Sequence, residues 1–207
     1  MRKLLVEGIG TFFLVLVIGL TGIAPGAGAM APLAIGAMLM VMVYAGGPIS
    51  GGHYNPAVTL AVWLRGRCQA TEVLWYSVAQ VAGAVLAALV VGFCKPGSLV
   101  TAMQPAVWPA LLVEAMLTFA LAYVVLQVAT TKQAVGNSYF GLAIGMTVMA
   151  AAYAGGNISG GVLNPAVAIG ITVMGLSAVS HVWIFLVANV AGGALAALVF
   201  RVTNPDD

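Results

Sequence analysis

Ionisable side chains are nearly missing from this sequence, with five acidic and seven basic residues among 207. A soluble domain carries about a quarter charged residues, so an ordinary aqueous surface is excluded. The few basic residues form no cluster, which argues against a nucleic-acid partner. Cysteine is also scarce. Cys68 and Cys94 are the only two, and 26 residues of helix between them would hold them roughly 39 Å apart, beyond disulfide reach. They read as packing residues. No nucleophile–base pair and no metal-ligand spacing is apparent, so the sequence predicts neither an enzyme nor a bound metal or cofactor.

Apolar runs fill the space that charge vacates. The chain is 62% hydrophobic, and six stretches, about 4–21, 32–49, 72–93, 109–128, 139–157 and 181–200, are long enough for membrane crossing. A span needs roughly 20 apolar residues for a hydrocarbon layer of about 30 Å. These stretches use nearly all of residues 1–207, which predicts a single all-α integral membrane domain embedded in a lipid bilayer. Numbering the spans in order places Arg2, Lys3, Arg65, Arg67, Lys132 and Arg201 on one side and Lys95 alone on the other. The positive-inside rule then predicts a multi-pass protein of the cell (plasma or inner) membrane with both termini cytoplasmic. Arg2, Lys3 and the small residues Ala27-Gly28-Ala29 give the first span some look of a signal peptide. It is read instead as a retained span, because Glu7-Gly-Ile-Gly-Thr11-Phe12 is echoed by Glu114-Ala-Met-Leu-Thr118-Phe119.

That echo belongs to a repeat. Residues 33–58 align with residues 142–167 at a constant offset of 109 without gaps, with 17 identities in 26 positions. The same offset aligns Gln80-Val-Ala-Gly83 with Asn189-Val-Ala-Gly192. The chain reads as two three-span units, approximately 1–98 and 108–207. An odd number of spans per unit forces the copies upside down relative to each other, about a pseudo-two-fold axis in the membrane plane.

Each copy carries Asn-Pro-Ala after its second span. Asn is a strong N-cap and Pro is favoured at the first helical position, so Asn55-Pro56 and Asn164-Pro165 read as helix starts. A helix from Pro56 to about Leu64 rises roughly 14 Å, half of what a crossing needs. Two half-helices are therefore expected to start near mid-bilayer, facing each other. Gly46 to Tyr54 reads as a poor helix leading into the first. Non-helical backbone at membrane depth is tolerated where protein covers it or where it lines a water-filled cavity. Gly51, Gly52, Gly160 and Gly161 fit such a lining, and His53 joins them as a possible pore residue, although its counterpart is Val162. The positive ends of both half-helices and the side-chain amides of Asn55 and Asn164 would favour neutral hydrogen-bonding solutes and oppose cations. Glu7 and Glu114 are the carboxylates expected inside spans, accepting hydrogen bonds from the irregular loops. Met38, Met40 and Met42 read as packing, with Met40 alone matched by a methionine, Met149. Gly83-Ala84 and Gly192-Gly193 read as close helix contacts. His181 and Trp183 read as interface residues.

Two Asn-Pro-Ala boxes, ISGGHYNPAV, YSVAQVAGA and the Glu-x-x-x-Thr-Phe starts resemble the aquaporin and glycerol-facilitator (major intrinsic protein) family over essentially the full length. The resemblance implies six transmembrane helices with two re-entrant half-helices, a homotetramer with one pore per subunit, and a central constriction at Asn55, Pro56, Ala57, Asn164, Pro165 and Ala166. It also implies a second constriction, carried over here to Ile35, Ala152, Gly161 and Val167. The family commonly has Arg at the last position and an aromatic among the others, whereas this chain has neither. A wide apolar filter is therefore expected, passing small neutral solutes such as water, glycerol, urea-like molecules or neutral metalloid hydroxides like arsenite. The alternative is a secondary transporter, which shares inverted repeats but normally needs charged residues along its path.

Overall fold

The computed structural model describes residues 1–207, and every regular element is a helix. The crossings are α1 (Arg2–Gly22), α2 (Ala31–Ser50), α4 (Ala70–Cys94), α5 (Val107–Thr130), α6 (Phe140–Gly155) and α8 (Val182–Thr203). Between them lie two short helices, α3 (Pro56–Leu64) and α7 (Pro165–Val173). Five crossings are long and apolar enough for a bilayer by themselves, while α6 has 16 residues. Below α6 the i−4 bonding continues in a turn, with Ser159 N donating to Gly155 O (2.9 Å) and Gly160 N to Gly156 O (3.1 Å). That turn completes the descent to mid-depth.

One expectation is overturned. Gly46 to Ser50, read as poor helix, forms the last turns of α2 with Pro48 inside. Local propensity loses to tertiary anchoring here. Ser50 Oγ donates to Glu7 Oε1 (2.6 Å), and Tyr76 Oη donates to Ser50 O (2.8 Å). The helix stops only at Gly51, whose φ of +95° suits glycine. The irregular segment is thus four residues, Gly51 to Tyr54.

Helices pair α1 with α4 and α5 with α8, and α2 with α6 joins the two halves. The first two pairs close at matched glycines. A Cβ on Gly83 would lie 2.3 Å from Gly8 O, and one on Gly192 would lie 2.4 Å from Ala115 O. Small residues at these points let helix backbones touch where lipid offers no hydrophobic drive for association. Polarity is distributed inside out. Glu7, Gln80, Glu114 and Asn189 are fully buried, while Trp108, Leu89 and Phe93 are largely exposed. That is the arrangement expected of a chain surrounded by hydrocarbon.

On the face carrying both termini, Arg65 pairs with Asp207 (3.1 Å) and lies 4.7 Å over the Phe200 ring. Arg201 donates to the carbonyl of Leu64 at the end of α3. On the opposite face Lys95 donates to the carbonyls of Ile23 and Pro25.

Candidate functional site

Asn55 and Asn164 each cap a half-helix. Asn55 Oδ1 accepts from the backbone N–H groups of Ala57 (2.8 Å) and Val58 (3.4 Å). Asn164 Oδ1 does the same for Ala166 (2.9 Å) and Val167 (3.4 Å). The other end of each amide crosses the molecular centre. Asn55 Nδ2 donates to Leu163 O and Asn164 Nδ2 donates to Tyr54 O, both at 2.8 Å. An amide NH₂ has two hydrogens, so each asparagine keeps one N–H with no protein acceptor. The sequence suggested amides aimed at a permeant, and one N–H of each remains for that, while the other clamps the two halves together.

The carbonyls that receive these bonds sit on strained backbone. Tyr54 and Leu163 are the only non-glycine residues with positive φ, at +49° and +53°. A bulky residue in this region costs about 1–3 kcal/mol and persists only when its surroundings hold it there. The holders are the buried carboxylates. Glu7 accepts from Ser50 Oγ (2.6 Å), His53 N (3.0 Å), Tyr54 N (2.7 Å) and Gln80 Nε2 (2.8 Å). Glu114 accepts from Ser159 Oγ (2.6 Å), Val162 N (2.8 Å), Leu163 N (2.8 Å) and Asn189 Nδ2 (3.0 Å). Sequence alignment paired Gln80 with Asn189 without showing their role, which is to orient these carboxylates. Neither glutamate lines the cavity at the molecular centre or the two that adjoin it.

A cavity of about 150 Å³ runs through the centre, room for several waters at ~30 Å³ each. Asn55 and Asn164 line it, as do all four positions carried over from the family filter: Ile35, Ala152, Gly161 and Val167. Gly52, His53 and Gly160 line it too. Pro56, Ala57, Pro165 and Ala166 do not. Pro56 and Pro165 open the half-helices, and Ala57 packs against α8, where a Cβ on Gly193 would come within 2.6 Å of Ala57 O. Gly51 lies outside the central cavity, on a wider one of about 820 Å³ at the termini face that also holds Lys3, Arg67, Glu72 and Lys132. On the opposite face is a cavity of about 460 Å³ with no charged lining residue. The three stand in series. His53 and Val125 are common to the central and termini-side cavities, and Met103 and Gly160 to the central and opposite ones.

His53 is held by Thr59, whose hydroxyl donates to Asn55 O (2.9 Å) and accepts from Gln80 Nε2 (3.3 Å). With its one proton used, Thr59 Oγ1 accepts from His53 Nδ1 at 3.2 Å. That tautomer leaves Nε2 as an acceptor. Met103 has no counterpart at the repeat offset, so nothing in the duplication pointed to it.

No Asp, Glu, Lys or Arg lines the central cavity, which removes the charged path that ion-coupled transport needs. Residues 1–200 match the family model for major intrinsic proteins. The chain belongs to the major intrinsic protein family. It is a membrane channel for small neutral solutes and not an enzyme. Among major intrinsic proteins it is 39% identical to glycerol uptake facilitator protein-like 6 of Lactiplantibacillus plantarum, covering 100% of both chains. It is 36% identical to aquaporin NIP1-4 of Oryza sativa subsp. japonica, covering 95% of this chain and 75% of that one. The fold matches the X-ray structure of the aquaglyceroporin from Plasmodium falciparum with a TM-score of 0.81 at 19% identity, covering 99% and 97% of the two chains.

Proposed function

We propose that this channel passes glycerol-sized polyols and other small uncharged hydroxy compounds, including neutral metalloid hydroxides, besides water. The observation that carries this reading is the wall of the central cavity at Ile35, Ala152, Gly161 and Val167, which offers no charge and no ring. Glycine and alanine leave width, and isoleucine and valine give an apolar surface for a carbon backbone. A charged guanidinium there would bind hydroxyls and narrow the passage. In this reading those four residues form the outer filter, and Asn55 and Asn164 form the central constriction. Exclusion of cations falls to the half-helix starts, each carrying about half a positive charge. A glycerol uptake facilitator-like relative at 39% identity supports the same solute class.

The excess of Lys and Arg on the termini side supports an orientation with both termini cytoplasmic, in the cell membrane. A homotetramer with one pore in each subunit is the proposed assembly. The test is a panel of osmotic-shock assays on vesicles with and without the purified protein. Water, glycerol, urea and arsenite are scored separately. Glycerol flux no faster than in empty vesicles, with water flux raised, would refute the proposed solute class.

A further inference from the structure

The two ends of the central cavity are bordered by related means. At the termini-side end, His53 folds over Gly51, and a Cβ on that glycine would lie 2.8 Å from His53 Nε2. The repeat counterpart of Gly51 is Gly160, with φ of +99° against +95°. The counterpart of His53 is Val162, whose shorter side chain comes only within 3.5 Å of a Cβ at Gly160. Instead, Met103 fills that position: the same Cβ would lie 2.6 Å from Met103 Cε and 3.0 Å from its Sδ. His53 borders the central cavity and its termini-side neighbour, and Met103 borders the central cavity and the opposite one. The loop joining the repeats thus supplies a side chain that the second repeat lacks.

We infer that Met103 is a fifth, movable wall of the outer filter, setting the upper size of solute that enters. The inference rests on the filter assignment proposed above. Its backbone is pinned, since Met103 N donates to Leu176 O at 3.0 Å and the residue forms a bridge with Ser177. Its side chain has three rotatable bonds and a soft thioether, so the terminal methyl swings while the loop stays fixed. Among the lining residues at this end, beside Ile35, Ala152, Gly161, Val167 and Leu176, it alone combines length with flexibility. The other walls are short, branched or backbone. Admission of a solute longer than glycerol then depends on displacing the thiomethyl group from over Gly160.

The experiment compares erythritol and glycerol flux in vesicles carrying wild type, Met103→Ala, Met103→Leu or Val167→Arg, normalised to incorporated protein. Met103→Ala is expected to raise the erythritol-to-glycerol ratio several-fold. Met103→Leu, similar in volume, is expected to keep it near wild type. An unchanged ratio in Met103→Ala overturns the inference whatever Val167→Arg does. Unchanged glycerol flux in Val167→Arg overturns the filter assignment on its own. Should Met103→Ala fail to incorporate, Met103→Phe decides: lowered glycerol flux with water flux retained supports the inference, and unchanged glycerol flux overturns it.

Discussion

Gly36 and Gly145 meet face to face where α2 crosses α6. A Cβ on Gly36 would lie 2.6 Å from Gly145 O, and one on Gly145 would lie 2.5 Å from Gly36 O. The two glycines are repeat counterparts at the offset of 109, so each half presents the same surface to the other. Their flanking methionines are matched as well. Met149 Cβ would be 2.6 Å from a Cβ on Gly36, and Met40 Cβ 2.6 Å from one on Gly145. Met40, the one residue of its methionine run that is repeated, thus sits at this crossing with its counterpart Met149.

A side chain at that crossing has backbone on the far side and nowhere to go. Gly36→Leu is expected to separate α2 from α6 and destabilise the protein by ~1–3 kcal/mol or more. Thermal unfolding of the detergent-solubilised protein, followed by size-exclusion chromatography, reads this out. An unchanged unfolding temperature would contradict the packing described.

Glu7 takes four hydrogen bonds, all from donors. Glu7→Gln replaces one acceptor oxygen with an NH₂ that faces N–H groups or hydroxyls. Bonds to a charged acceptor contribute about 1.5–3 kcal/mol each, so ~2–4 kcal/mol of stability should be lost with at least one of them broken. Glu114→Gln should behave alike, because its four partners are equivalent. A difference scan of both variants by thermal melting checks this. If either one melts with wild type, the carboxylate is not what holds its loop.

Asn55→Asp preserves the cap on α3 but sets a second carboxylate oxygen against the carbonyl of Leu163, where the amide donated. It also puts a negative charge between two positive helix ends. Cation or proton leak should rise above the wild-type level, measured as current across planar bilayers or as pH-dye quenching in vesicles. No added leak would mean that the central potential does not control ion exclusion.

Val167→Arg places a guanidinium on the wall of the central cavity that Ala152 and Gly161 also line. Glycerol flux should fall by roughly tenfold or more while water flux is retained at least in part, since a charged, hydrated group narrows the passage for larger solutes. Stopped-flow light scattering on vesicles under glycerol and sucrose gradients measures both. Equal loss of both fluxes would indicate a blocked or misfolded pore and not a filter.

Much of this is legible in the sequence, because membrane chains obey few and strong rules. Apolar runs of span length, an odd number of them per repeat, and an Asn-Pro start after each second span dictate six crossings and two half-helices. Backbone groups in hydrocarbon must bond internally, which leaves helices as the economical solution for these runs. Pro56–Leu64 emerged with its expected limits for that reason. The last turns of α2 did not, since Gly46, Gly47 and Pro48 weigh against helix locally. Only bonds from Ser50 to Glu7 and from Tyr76 to Ser50 reverse that balance, and both partners are remote in sequence.

The sequence by itself determined the class of molecule, its duplication and the chemical character of the filter positions, because hydropathy, cap residues and repeat spacing are local properties carried by each segment alone. Tertiary structure decided that the asparagine amides clamp opposite loops, that two glutamates hold Tyr54 and Leu163 in a left-handed backbone, and that Met103 arrives at the mouth of the central cavity. Those relationships join segments 47 and 49 residues apart within each half, segments 108 and 110 residues apart across the halves, or a connecting loop and the cavity, and they exist only once packing has brought the helices together.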